Sequence, residues 1–202
     1  MIVAVVVAAT ILWHDRALVR DGSTLEIFWL CNVSAVLMVP ALLFRSALLV
    51  QVTFTWLFVG TVVWLIFLFA LKGTTPDSSP YPHIAGCIGG LYGGRRWGAG
   101  RFGAAAAVGY LGVIVLASRL LLPAQTNINA AHGAPPGFRL IDVPPLGFYG
   151  TALLIAVCMS VLVGELFRLV HGASAREEST RMKSASATPS RDELSAQAPS
   201  GE

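Results

Sequence analysis

One stretch constrains this chain more than any other. From Leu48 to Leu71 there is no charged residue. About 20 apolar residues cross the hydrocarbon of a bilayer, and this run is longer than that. Lipid offers no partner for free backbone groups, so such a run spans as a helix. Composition extends the conclusion to the rest of the chain. Only 12% of residues are charged and 55% are hydrophobic, against about 25% charged in a soluble domain. A soluble fold could not hide that much apolar surface. Three cysteines in 202 residues exclude a disulfide scaffold. A net charge of +3 without a basic stripe excludes a nucleic-acid partner.

About six apolar segments are expected, which makes the fold class an all-α polytopic transmembrane bundle. The first is Met1–Trp13. It lacks the basic start of a signal peptide. It is also short for a span, so it is read as tilted, half-buried or truncated at its start. A polar connection, His14–Thr24, follows. Leu25–Phe44 is the second segment and Leu48–Leu71 the third. Lys72–Pro82 reads as a loop, punctuated by Gly73, Pro76, Pro80 and Pro82. His83–Gly94 is the fourth segment, and Arg95–Arg101 a basic turn. Phe102–Leu122 is the fifth, Ala124–Pro145 a longer loop, and Leu146–Val170 the sixth. Residues 1–171 thus form the membrane domain. Residues 172–202 mix Ser, Ala and charge without aromatics, the composition of a disordered tail.

Lys and Arg in short loops set the orientation. Arg45, Arg95, Arg96, Arg101 and Arg168 fall on one side, with the tail. Arg16, Arg20, Lys72 and Arg139 fall on the other. The first side is read as cytoplasmic, so the chain is expected in the cell membrane with its tail inside. Cys31 then lies about six residues, or about 9 Å, into the second helix from the outer face. His83 opens the fourth helix from that face. Asn127, Asn129 and Asp142 sit in the outer loop.

Cys31 is the candidate nucleophile and His83 the base that draws off its proton. The plain alternative makes Cys31 a small packing residue and His83 an interfacial one. Cys87, one helical turn after His83, is a rival thiol, and a Cys31–Cys87 disulfide is a third option. Cys158 reads as packing. Asn32, Ser34 and Gln51 read as polar groups that hydrogen-bond between helices; Asn32 or Asn127 could also supply an oxyanion donor. Glu165 and Arg168 read as a local ion pair. The glycines from Gly86 to Gly94, and those from Gly103 to Gly112, read as surfaces for close helix packing. No His, Cys, Asp or Glu set has metal-ligand spacing, and no cofactor is expected.

Three stretches together resemble the bacterial YwaF-like integral membrane proteins, a family related to an animal transmembrane acyltransferase. The first is Leu30-Cys31-Asn32-Val33-Ser34-Ala35, followed by Ala41-Leu42-Leu43 and Phe54-Thr55-Trp56 with Gly60. The second is His83 with Leu91-Tyr92. The third is Thr126-Asn127-Ile128-Asn129, then Pro136, Leu140, Asp142, Pro144-Pro145 and Tyr149. The similarity runs from about Leu25 to Val170. It implies a seven-helix bundle, of which this chain has about six, and acyl transfer through a Cys helped by a His. Cys31 and His83 would then be catalytic, with Asn32, Asn127, Asn129 and Asp142 shaping the site mouth. The expected function is a lipid-directed thiol acyltransferase or hydrolase with membrane lipids as partners. Two alternatives stay open: a non-catalytic assembly protein that oligomerises through its Gly/Ala-rich helices, and a small-molecule transporter. The transporter is disfavoured by the uncharged third segment and by the lack of a repeat.

Overall fold

The computed structural model describes residues 1–69, 77–100, 102–124 and 154–171. Asn127, Asn129, Asp142 and the tail lie outside the described residues. Among the described residues there is no strand. The helices are α1 (Ile2–Arg20), α2 (Leu30–Leu43), α3 (Ala47–Phe69), α4 (Pro80–Trp97), α5 (Gly103–Leu121) and α6 (Leu154–His171). A short 3-10 helix, Thr24–Phe28, precedes α2. The bundle is all-α, as the sequence predicts. Four helices, α1, α3, α5 and α6, are long and apolar enough to cross a membrane.

Three boundaries differ from expectation, each for a physical reason. The first helix does not end at Trp13 but runs on to Arg20. Its buried residues are Ala4, Val7, Ile11, His14 and Leu18, a stripe at alternating spacings of three and four. The stripe passes straight through the polar stretch: His14 lies on it, and Asp15 and Arg16 lie off it. The second segment is divided. Trp29 is extended (φ −57°, ψ 139°) and breaks the helix between the 3-10 turn and α2. Cys31 is therefore the second residue of α2 and not six residues into a helix. The fourth helix begins at Pro80, which the sequence places in a loop. Proline is tolerated in a first turn because its missing N–H would have no helical partner there. His83 consequently sits one turn inside α4.

α3 and α4 form the centre of the packing: α3 meets α2, α4 and α5, and α4 meets α1, α2 and α3. A Cβ added at Gly86 would stand 2.6 Å from Leu57 of α3. At Gly90 it would collide with Phe54 of α3, and at Gly94 with Phe167 of α6. At Gly89 it would meet Leu42 of α2 and Val7 of α1, each at 3.3 Å. Gly86, Gly90 and Gly94 recur every four residues and so form one groove along the helix. In lipid, tails are as apolar as Leu, and helices associate through close packing and buried hydrogen bonds. Bare backbone lets large side chains of α3 and α6 approach α4 closely enough for that. Phe54 and Phe167 also meet each other above the groove, with ring centroids 4.9 Å apart.

α3, α5 and α6 are tied by polar contacts as well. Gln51 donates from Nε2 to the Gly164 carbonyl at 2.8 Å, and Trp56 donates from Nε1 to the Ala107 carbonyl at 2.8 Å. Gly103 lies directly against the Gln51 amide. The result is a bundle with two unlike ends. One carries Arg45, Arg95 and Arg96. The other carries His14, Ser78 and His83.

Candidate functional site

The second of these ends holds a partly buried cluster built from four helices. α3 supplies Gly60, Thr61 and Trp64; α4 supplies His83 and Cys87; α2 supplies Cys31; and α1 supplies His14. Gly60 is where Cys31 and His83 meet. A Cβ built on Gly60 would stand 2.7 Å from Cys31 Cβ and 3.6 Å from His83 Cε1. The two side chains thus lie against the same point of α3. Any other residue at position 60 would push between them.

Thr61 joins one ring nitrogen of His83 to Cys87. Thr61 donates its single hydroxyl proton to the Leu57 carbonyl at 2.7 Å. Its oxygen also lies 3.2 Å from His83 Nδ1, a contact that the tautomer with its proton on Nδ1 would satisfy. Cys87 completes the contact, with Sγ 3.9 Å from Thr61 Oγ1. Trp64 stacks on the imidazole with centroids 5.7 Å apart and planes 18° from parallel. Its buried Nε1 has no hydrogen-bond partner among the described residues. His83 itself is 5% exposed, so its ring is held on one face by Trp64 and at one nitrogen by Thr61.

Cys31 sits in the first turn of α2, and its thiol lies 3.9 Å from Asn32 Oδ1. Asn32 donates from Nδ2 to the Glu26 carbonyl at 2.9 Å. This bond anchors the 3-10 turn to α2 across the break at Trp29. It also commits one amide proton of Asn32, leaving the other free to act as a donor. Glu26 lies on that turn outside the helices. Partial burial pushes its carboxyl above the usual range, and a hydrogen bond from Ser23 opposes the shift. Ser34 reaches across to α5, with its Oγ 3.4 Å from the Tyr110 hydroxyl. His14 joins from α1: its Nδ1 lies 3.1 Å from Ser78 Oγ, and both residues are buried.

The structure thus brings together Cys31, Asn32 and His83 among the sequence-nominated residues. All three cysteines are free, so Cys31 and Cys87 are not bridged. Cys158 faces outward and is not the packing residue that its position suggested. Glu165 and Arg168 form an ion pair at 2.6 Å on an exposed face. Among the described residues no group of His, Cys, Asp and Glu could hold a metal. Sequence reasoning missed His14, Ser78, Thr61 and Trp64, and named Gly60 only within the family resemblance, not as a contact point. The continuing stripe of α1 marks His14 as buried. Nothing in an apolar run such as α3 marks Gly60 as the contact point.

Fold and site together define a helical bundle with helices long and apolar enough to cross a membrane and, near one end, a half-buried Cys31 and a buried His83 set against Gly60. No protein-family model matches the chain, and no curated protein or solved structure matches it either.

Proposed function

We propose that this chain is a multi-pass membrane protein that transfers or hydrolyses acyl groups of lipids at Cys31. The observation that supports this reading is the meeting of Cys31 and His83 at Gly60. The YwaF-like resemblance of the sequence points to the same pair. In the proposed step the Cys31 sulfur attacks the carbonyl carbon of a lipid ester while its proton passes to His83 Nε2. The ester C–O bond breaks, and the departing alcohol takes that proton from His83. The thioester on Cys31 then passes its acyl group to an acceptor alcohol, amine or water, and the thiol re-forms. The free amide proton of Asn32 is the nearest candidate for holding the oxyanion. Asn127, Asn129 and Asp142 remain the proposed lining of the site mouth. The basic end would face the cytoplasm together with the tail, which sets the cluster toward the outer leaflet.

The test is labelling in lipid nanodiscs with a lipophilic thiol-reactive acyl probe, mapped by peptide mass spectrometry. The exposed Cys158 is first changed to Ser. Fast labelling of Cys31, slowed at least tenfold by His83→Gln, is the expected result. Labelling that falls on Cys87, or that ignores His83, sinks the proposal.

A second reading, a non-catalytic assembly protein, is favoured by one observation. On α5, Gly109 and Gly112 meet nothing within 4 Å among the described residues. Under that reading Cys31→Ala is silent, and Gly109→Leu lowers the oligomeric state without unfolding the chain.

A further inference from the structure

At the basic end, far from the cluster, a cleft of about 670 Å³ opens between the start of α1, the end of α2 and the end of α4. Its lining is mixed. Leu42 and Val3 supply apolar surface, Tyr92 and Trp97 supply rings, and Arg45 and Arg96 supply the charge. The rings are edge to face, 89° apart with centroids at 6.1 Å. Aromatic residues of this kind favour the membrane–water boundary. Neither guanidinium has a carboxylate partner among the described residues, whose one ion pair is Glu165–Arg168.

The backbone adds an independent observation. Ser46 N–H bonds to the Ala41 carbonyl at 3.0 Å across the end of α2. Arg45 lies inside that closure with φ +55°. This is the position at which helices usually place glycine. An arginine there strains the chain, and its side chain lines the cleft. A non-glycine residue kept in this conformation is a pointer to function.

We propose that this cleft binds an anionic phospholipid. Arg45 and Arg96 hold the headgroup phosphate, Tyr92 and Trp97 line the boundary, and an acyl chain runs over Leu42 and Val3. Charge complementarity to the two arginines, together with the apolar surface of Leu42 and Val3 in the same cleft, selects this occupant over a free anion or a neutral lipid. The site is separate from Cys31 and stands whether or not that residue is catalytic.

The test uses the full chain in detergent micelles. Thermal unfolding is followed with added phosphatidylglycerol, phosphatidylcholine or inorganic phosphate. Two guanidiniums predict a preference for phosphatidylglycerol over phosphatidylcholine of about 30-fold. Arg45→Gly and Arg96→Gln should each reduce that preference about fivefold, and the double variant should abolish it. Arg45→Gly suits the backbone at that position, so its loss of lipid preference would not reflect misfolding. Arg96→Gln gives the same readout on an exposed helix face. Equal stabilisation by both lipids overturns the proposal, as does a double variant that retains the preference. Inorganic phosphate reproducing the full effect would also overturn it, in favour of a free-anion site.

Discussion

A methyl group added at Gly60 would have to displace Cys31, whose Cβ lies 2.7 Å from where it would stand. Cys31 is not the far end of a flexible chain: its Cβ moves only if α2 moves. We expect Gly60→Ala to destabilise the protein by about 1–3 kcal/mol, the usual cost of overpacking. A thermal melt in a single detergent checks it, and an unchanged melt would mean that α2 and α3 are not in contact there. Cys31 and His83 could be nominated from sequence because thiol and imidazole are the rare reactive groups in an apolar chain. Their common contact could not. Glycine in an apolar helix looks like any other small residue until a neighbour's atoms are placed against it. Thr61 is equally silent in sequence, because its effect on His83 depends on where its one proton goes.

Helices show the same division between what pattern reveals and what packing decides. α3 was legible because length and lack of charge alone define it. The end of α1 was not, since the first charged residues look like a boundary. Only the stripe from Ala4 to Leu18 tells that they lie on an outer face of a continuing helix. The break at Trp29 has no proline or glycine to announce it. The glycines of α4 were readable as packing surface, but not which helix each would face. That assignment yields a contrast between two helices. Gly90→Ala should cost about 1–3 kcal/mol, because the new methyl runs into Phe54. Gly109→Ala, on the open side of α5, should leave stability unchanged or slightly raised. Parallel melts of the two variants measure this directly, and equal losses would contradict the packing described here.

For the whole molecule, the unlike character of the two ends is the feature with a testable reach. Arg45, Arg95 and Arg96 lie at one end; Asp77 and the start of α4 lie at the other, where Arg16, Arg20 and Arg119 mix with Asp15, Asp21 and Glu26. With the proposed orientation, a cysteine placed at Asp77 should react with a membrane-impermeant thiol reagent in intact cells. One placed at Ser46 should react only after lysis. The opposite pattern would invert the topology and move the thiol–imidazole cluster to the inner leaflet. Much of this layout was visible from the counting of loop arginines. What the count could not supply is depth, because Cys31 starts a helix instead of lying within one.

α4 has a consequence for how such a chain is made. It is central to the packing, yet it is not among the helices apolar enough to enter a membrane unaided, and α2 is short as well. Its glycine backbone gains its contacts only from α1, α2, α3 and α6. During synthesis, α4 leaves the ribosome after its first three partners and before α6. An insertion machine scoring each segment alone would tend to release it to water. Its retention must rest on neighbours already waiting in the bilayer, so the biogenesis of this protein is cooperative at its fourth helix.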